Sequence, residues 1–330
     1  MTQRLSHHFL PEALEKRKLL AAATVNFNDV RQTIDGFGAS SAWMSGTIPS
    51  AALDQIYSPT AGAGLSLLRS RIQPSGGSSE NQMMEQVGAY GVRAWSTPWT
   101  PPREYKTNHD NNNGGNLDPA HYQDYANQIA NYVQDMTRQG IPLYAVSIQN
   151  EPNWTATYES ARWDASSFAA FLPYLGQTFA ARGITATKIM LPEELNWDFS
   201  FASTIMGNPS LSQYVGILAA HNYGETSTSW KPVSIANGKQ VWETEVTSSL
   251  TAELDTAIDE ADDIFQAMTL GNANAYHYWW LSSNNTTSGL TNNWTPTKRL
   301  WAMGQYSRFV RPGWVRVGET DDGGLDVTTF

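Results

Sequence analysis

Short apolar, β-branched runs recur along the chain, separated by segments with a helical period. Eight are read as strands: Thr33 to Phe37, Leu65 to Ile72, Val92 to Ser96, Leu143 to Gln149, Lys188 to Leu191, Val215 to His221, Gln240 to Val246 and Ala275 to Trp280. Between them, Asp118 and Pro119 form an N-cap and first-turn pair. Tyr122, Tyr125, Ile129, Tyr132, Val133 and Met136 then follow a 3.6-residue period as far as Gly140. Thr251 can cap a second helix whose Leu254, Ile258, Ala261, Phe265 and Met268 form one stripe, ended by Gly271. A third begins near Ser166, and Pro173 is expected to kink or divide it. Strands alternating with helices over about 250 residues predict an α/β fold, a (β/α)8 TIM barrel, with a doubly wound open sheet as the alternative.

Barrel logic puts the chemistry at the carboxyl ends of the strands, where Glu151, His221 and Glu245 fall. In the fourth run Ala145, Ser147, Gln149 and Glu151 share one face, and the bulky Tyr144, Val146 and Ile148 share the other, so Glu151 is expected in the lumen. Val241, Glu243 and Glu245 share a face of the seventh run; position nearer the strand end favours Glu245 over Glu243. Two carboxylates at strand ends suit hydrolysis of a glycosidic bond. One protonates the departing oxygen, and the other attacks, or activates water against, an oxocarbenium-like carbon.

Composition narrows the remaining classes. The 330 residues suffice for one large barrel, and a net charge of −10 with no nucleic-acid motif argues against binding phosphate backbones. No apolar run is long enough to cross a bilayer. The chain has no cysteine, which excludes disulfides and thiolate metal sites, and no His/Asp cluster has metal-ligand spacing, so neither a metal nor a cofactor is expected. Aromatic residues, 13 Trp and 14 Tyr among them, fit either a sugar cleft or a large aromatic core.

Residues 1–23 form a charged N-terminal segment of unclear role, without the apolar stretch of a secretory leader. Residues 24–310 are expected to form the barrel, and 311–330 the start of an incomplete side β-domain with a turn at Gly323-Gly324. Such an edge would favour self-association. The Asn108 to Gly115 stretch reads as a surface loop.

Four ordered motifs carry a family resemblance: Ile34-Asp-Gly-Phe-Gly-Ala-Ser-Ser-Ala-Trp43, Ser96-Thr-Pro-Trp-Thr-Pro-Pro102, Ser147-Ile-Gln-Asn-Glu-Pro152 and Val241-Trp-Glu-Thr-Glu-Val246. They resemble glycoside hydrolase family 30. Tyr158-Glu-Ser-Ala-Arg-Trp163 and Gln305-Tyr-Ser-Arg-Phe-Val-Arg-Pro-Gly313 are similar to its bacterial xylanase branch. The resemblance implies a retaining (β/α)8 barrel, Glu151 as acid/base, Glu245 as nucleophile, and Trp99, Tyr223 and Trp280 at the cleft. Trp279, of opposite parity to Trp280, is expected to pack outward. Asn150 is expected to bind a sugar 2-hydroxyl. His221 and Arg69 are expected to contact substrate or a carboxylate, and Trp43 and Trp154 are further cleft candidates.

Xylanases of that branch typically grip a glucuronic acid side group with an arginine in the loop after strand eight. Here Leu281-Ser-Ser-Asn-Asn-Thr-Thr-Ser-Gly-Leu290 has no cation, which implies independence of glucuronate. The same departure weighs against xylan as well, but the resemblance to the xylanase branch keeps it the expected polymer. Other family activities, on β-1,6-galactan, β-1,6-glucan or glucosylceramide, are alternatives, as is a catalytically silent glycan-binding barrel. A polymeric substrate implies secretion, from a bacterial source; the sequon Asn153-Trp154-Thr155 lies two residues from Glu151, where a glycan would crowd the cleft.

Overall fold

The computed structural model describes residues 22–223, 230–247, 254–284, 288–321, 324 and 326–330. Eight parallel strands close into a barrel: Gly36–Ser40, Leu67–Ile72, Arg93–Pro98, Ala145–Ser147, Lys188–Glu194, Val215–Ala220, Gln240–Glu243 and Ala275–Trp280, called strands one to eight below. Strand one closes the ring, with Gly36 opposite Ala275 on one side and Gly38 opposite Leu67 on the other. Glycine is required at 38. A Cβ there would lie 2.6 Å from the Leu67 carbonyl oxygen and 2.9 Å from the His277 ring, so both neighbouring strands could not approach a larger residue.

Large and small side chains interleave inside the barrel. Trp95 and Trp242 meet edge to face at 6.0 Å, and Leu67, Met190 and Ile217 with Ala145, Ala219 and Ala275 fill the space around them. Both indoles find acceptors: Trp242 donates to Asp35 Oδ2 at 2.8 Å and Trp95 to His277 Nε2 at 2.9 Å. This plug closes the lumen below the strand ends.

Trp242 in the interior overturns the expected parity of strand seven. Val241 belongs to the core outside the barrel, and Glu243, in step with it, faces the same way. Strand seven ends at Glu243, Thr244 bonds back to the Ala220 carbonyl at 3.1 Å, and this break in the pleat is what turns Glu245 into the cleft. Strand eight corrects a second expectation. Trp279 keeps step with Ala275 and His277 and faces the cleft; a register shift after Tyr278, which pairs Ser40 with Trp280, brings Trp280 there as well.

The helix at Tyr122–Arg138 buries the stripe that its period predicts, after a 3-10 turn at Pro119–His121 in which Asp118 accepts from the Ala120 amide at 2.9 Å. The helix at Ala165–Ala181 runs undivided through Pro173. An internal proline costs about 3 kcal/mol, and burial of Phe168, Phe171, Leu172, Leu175 and Phe179, at about 1.5–3 kcal/mol each, outweighs it. The helix at Leu254–Thr269 differs from expectation. Leu254 and Ile258 are exposed at 58% and 50%, and the face turned inward carries Ala257, Glu260, Ile264, Ala267 and Met268. Its proposed cap, Thr251, lies outside the described residues, as do residues 1–21 and Gly323.

The first and last described segments pack together. Ala23–Thr33 pairs antiparallel with Val315–Asp321, and Thr329 bridges Val317, so residues 23–33 stand in this outer ribbon and the barrel begins at Gly36. Among the described residues no helix is long and apolar enough to cross a membrane.

Candidate active site

At the carboxyl ends of the strands lies a cleft of about 700 Å³, lined by Trp43, Trp99, Trp154, Tyr158, Trp279 and Trp280 and by Glu151, Tyr223 and Glu245. Glu151 follows strand four with φ 44°, a left-handed conformation for a residue with a Cβ, and such outliers concentrate where function dictates geometry. Asn150 just before it is tied by its amide to the Pro98 carbonyl at 2.8 Å, and the Trp154 amide bonds the Glu151 carbonyl at 3.0 Å. One carboxylate oxygen of Glu151, one of Glu245 and a ring nitrogen of His221 lie within 4.8 Å of one another. That spacing suits direct attack, for which carboxyl groups stand about 5–5.5 Å apart, and leaves no room for the interposed water of an inverting pair at about 6.5–9.5 Å.

Both oxygens of Glu245 are occupied. The Tyr223 hydroxyl donates to Oε1 and the Arg69 guanidinium to Oε2, fixing the carboxylate in the cleft. Burial first, and then the Glu245 charge, push the Tyr223 phenol well above its ordinary range, so it remains a donor. Arg69 also donates to Asn150 Oδ1 at 2.6 Å and lies against the rings of Trp99, Trp95 and Trp279 at 4.8, 5.3 and 5.6 Å. It is fully buried. Arg69 thus supports the carboxylate from beneath and does not reach substrate.

His221 is also fully buried, and of its two expected partners, substrate or a carboxylate, it meets the carboxylate. Its Nδ1 is 3.1 Å from Glu151 Oε1, while Nε2 stands 3.7 Å from Glu193 and 3.9 Å from Glu245. Burial opposes a charge on this ring, but the nearby carboxylates of Glu245, Glu151 and Glu193 prevail and hold it up at about 10. His277 has the opposite state. The Trp95 N–H can only donate, so His277 Nε2 accepts and Nδ1 donates to the Glu243 carbonyl at 2.9 Å; burial brings this ring down to about 3.

Spacing along the chain gives no hint that Glu151, His221 and Glu245 meet closely enough to surround an ion. Their bonds fit a proton network better. Arg69 already occupies Glu245 Oε2, and a protonated His221 has no lone pair to offer.

One residue escaped the sequence reading. Glu193, fully buried at the end of strand five, receives Thr97 Oγ1 at 2.6 Å and Arg69 Nη2 at 3.3 Å. Burial would raise its carboxyl, but Arg69 and then His221 bring it down to about 2. Its only signal is the Glu pair after Pro192, beyond the run ending at Leu191. Glu243 accepts the Glu245 amide at 2.9 Å and the His277 amide at 3.1 Å, so it braces the backbone behind the cleft.

The Asn108 to Gly115 stretch, expected as a plain surface loop, buttresses one wall. Asn113 N bonds the Ala156 carbonyl at 3.0 Å, Arg162 N bonds the Gly115 carbonyl at 2.8 Å, and Lys106 Nζ reaches the Ser160 carbonyl at 2.7 Å. These bonds hold the loop that presents Trp154 and Tyr158. Arg71 is not among the cleft-lining residues and backs Trp43: Glu159 binds it at 2.9 Å, and its guanidinium covers the Trp43 ring at 3.9 Å.

Residues 81–269 match the glycosyl hydrolase family 30 TIM-barrel domain. Glucuronoxylanase XynC of Bacillus subtilis (strain 168) is 27% identical over 329 residues, which cover 94% of this chain and 75% of that protein. The structure of a family 30 subfamily 8 xylanase, Xyn30A from Clostridium acetobutylicum, superposes with a TM-score of 0.81 at 35% identity, covering 90% of this chain and 77% of the other. An endo-β-1,6-galactanase of Hypocrea rufa is 25% identical over 181 residues, 51% of this chain and 37% of that one. With its closed barrel and paired carboxylates, the chain belongs to glycosyl hydrolase family 30 and is a retaining O-glycosyl hydrolase.

Proposed function

We propose that the protein is a secreted endo-β-1,4-xylanase that acts on the xylan backbone without needing glucuronic acid side groups. Glu151 protonates the departing oxygen while Glu245 attacks the anomeric carbon; Glu151 then takes a proton from water, which releases the sugar from Glu245. Asn150, whose oxygen is committed to Arg69, keeps its NH2 group as a donor for the 2-hydroxyl. Trp99, Trp280, Trp43 and Trp154 offer ring faces to successive sugars.

The composition of the cleft carries this reading. The described lining contains six indole or phenol rings besides Tyr223, two carboxylates, and neither Lys nor Arg. The neighbouring segments 224–229, 248–253 and 285–287, which lie outside the described residues, contain no Lys or Arg in their sequence either. A uronate carboxylate would enter without a guanidinium to bind it, against a net charge of −10. Similarity to enzymes named as xylanases supports the backbone, and the missing cation supports the departure from glucuronate.

Product analysis on plain xylan, glucuronoxylan, β-1,6-galactan and β-1,6-glucan tests the proposal. Both xylans should be cut to short oligomers at comparable rates. Glucuronoxylan should be cut faster at 0.15 M salt than at 0.01 M, because the Debye length falls from about 30 Å to about 8 Å and repulsion is screened. Loss of activity by orders of magnitude when glucuronates are removed would contradict it, as would a preference for a β-1,6 polymer.

A further inference from the structure

We propose that Glu193 is a positioning residue for the double displacement: a single buried carboxylate that holds Arg69 beneath Glu245 and the His221 ring beneath Glu151. The inference rests on the catalytic roles proposed above and extends them to a residue that lines no part of the cleft.

Geometry carries it. Glu193 is fully buried and its φ is 59°, a conformation that a residue with a Cβ keeps only where its surroundings fix it. Its Oε1 accepts from Arg69 at 3.3 Å and stands 3.7 Å from His221 Nε2; its Oε2 accepts from Thr97 at 2.6 Å. His221 Nε2 has no hydrogen-bond partner within normal reach. Its charge is therefore answered through space, by Glu193 and, slightly farther off, by Glu245.

The groups at and around this cluster come from seven strands or strand ends: Arg69, Thr97, Asn150 with Glu151, Glu193 itself, His221 with Tyr223, Glu245 with Glu243 behind it, and His277. Before reaction Arg69 and His221 are positive, Glu193 and Glu245 negative, and Glu151 carries its proton. In the first step the bond from the anomeric carbon to the leaving oxygen breaks, that oxygen takes the Glu151 proton, and Glu245 forms a bond to the carbon. The negative charge passes from Glu245 to Glu151. In the second step water gives its proton to Glu151, its oxygen bonds to the carbon, and Glu245 leaves as carboxylate. The cluster is neutral in both halves only if a second, fixed negative charge stands beside the mobile one, and Glu193 supplies it.

The test is the pH dependence of kcat/KM for Glu193→Gln. Removing this charge makes it easier for Glu151 to ionise, so the alkaline limb should move to lower pH by at least about one unit. At the optimum, kcat should fall about 100-fold with little change in KM, since the residue touches no sugar. Glu193→Asp keeps the charge and should return the limb toward its wild-type position. A role in structure alone would lower the amplitude and leave the limb in place, which would overturn the inference. If Glu193→Gln does not fold, nitrogen NMR of the wild-type enzyme remains decisive: both His221 nitrogens should carry hydrogens at pH 8, and a neutral ring there would overturn it. Glu245→Gly rescued by azide separates the two readings. An active, unrescued Glu245→Gly defeats the catalytic assignment, whereas a dead, rescued one beside an unshifted Glu193→Gln defeats only this inference.

Discussion

Glu151 and Glu245 are the same residue type a few ångströms apart, and their surroundings make them different. Glu245 is gripped on both oxygens, by Tyr223 and Arg69, as a nucleophile with one fixed direction of attack must be. Glu151 has one described side-chain partner, His221, and is held by a left-handed backbone that costs about 1–2 kcal/mol. This asymmetry yields a kinetic prediction. Glu151→Gln should abolish cleavage of xylan, whose leaving oxygen needs a proton, by about 100-fold or more, and should spare most of the first step on a dinitrophenyl glycoside, whose oxygen does not. Equal loss on both substrates, measured as pre-steady-state release, would contradict the assignment.

The elements show where apolar pattern is a good guide. Seven strands were legible as short β-like runs between turn residues, whereas the first, Gly36–Ser40, is displaced three residues along the chain from the run read at Thr33 to Phe37; the helix at Tyr122–Arg138 was legible because its buried face is wholly apolar or aromatic. The helix at Leu254–Thr269 was legible as a helix but not in orientation, since it turns Glu260 inward along with Ala257 and Ile264. Parity failed in strand seven, where Trp242 takes the interior, and in strand eight, where a register shift brings two adjacent tryptophans to one side. The buried acids that confuse pattern also set stability. Burial holds Glu194 up at about 7 and Asp263 at about 6, so their neutral forms favour the fold; that contribution is present below the usual carboxylate range and lost as pH rises through 6 to 7. His221, held at about 10, adds a loss in the same direction as pH climbs from 6.5. The urea midpoint should therefore be higher at pH 5 than at pH 8, by a margin on the order of several kcal/mol in free energy. A midpoint that rises across this interval would show that these groups are not buried as described.

At the scale of the molecule, the barrel joins side chains that the chain keeps far apart. Arg69, Glu151, Glu193, His221 and Glu245 come from five strand ends and form one charge cluster above a plug of Trp95 and Trp242. The two cleft carboxylates could be read from motif and strand end. Glu193 could not be placed, and His221, though read at a strand end, could not be paired with it, because that meeting depends on neighbours that only closure of the barrel supplies. The account stands on Glu245 as the nucleophile, and there are two rival carboxylates nearby, Glu243 and Glu193. Trapping with a 2-deoxy-2-fluoro xylobioside bearing a dinitrophenyl leaving group, followed by peptide mass spectrometry, distinguishes them most directly. The label should appear on Glu245 alone and be absent from Glu245→Gln; attachment at Glu243 or Glu193, or labelling that survives Glu245→Gln, would contradict the mechanism.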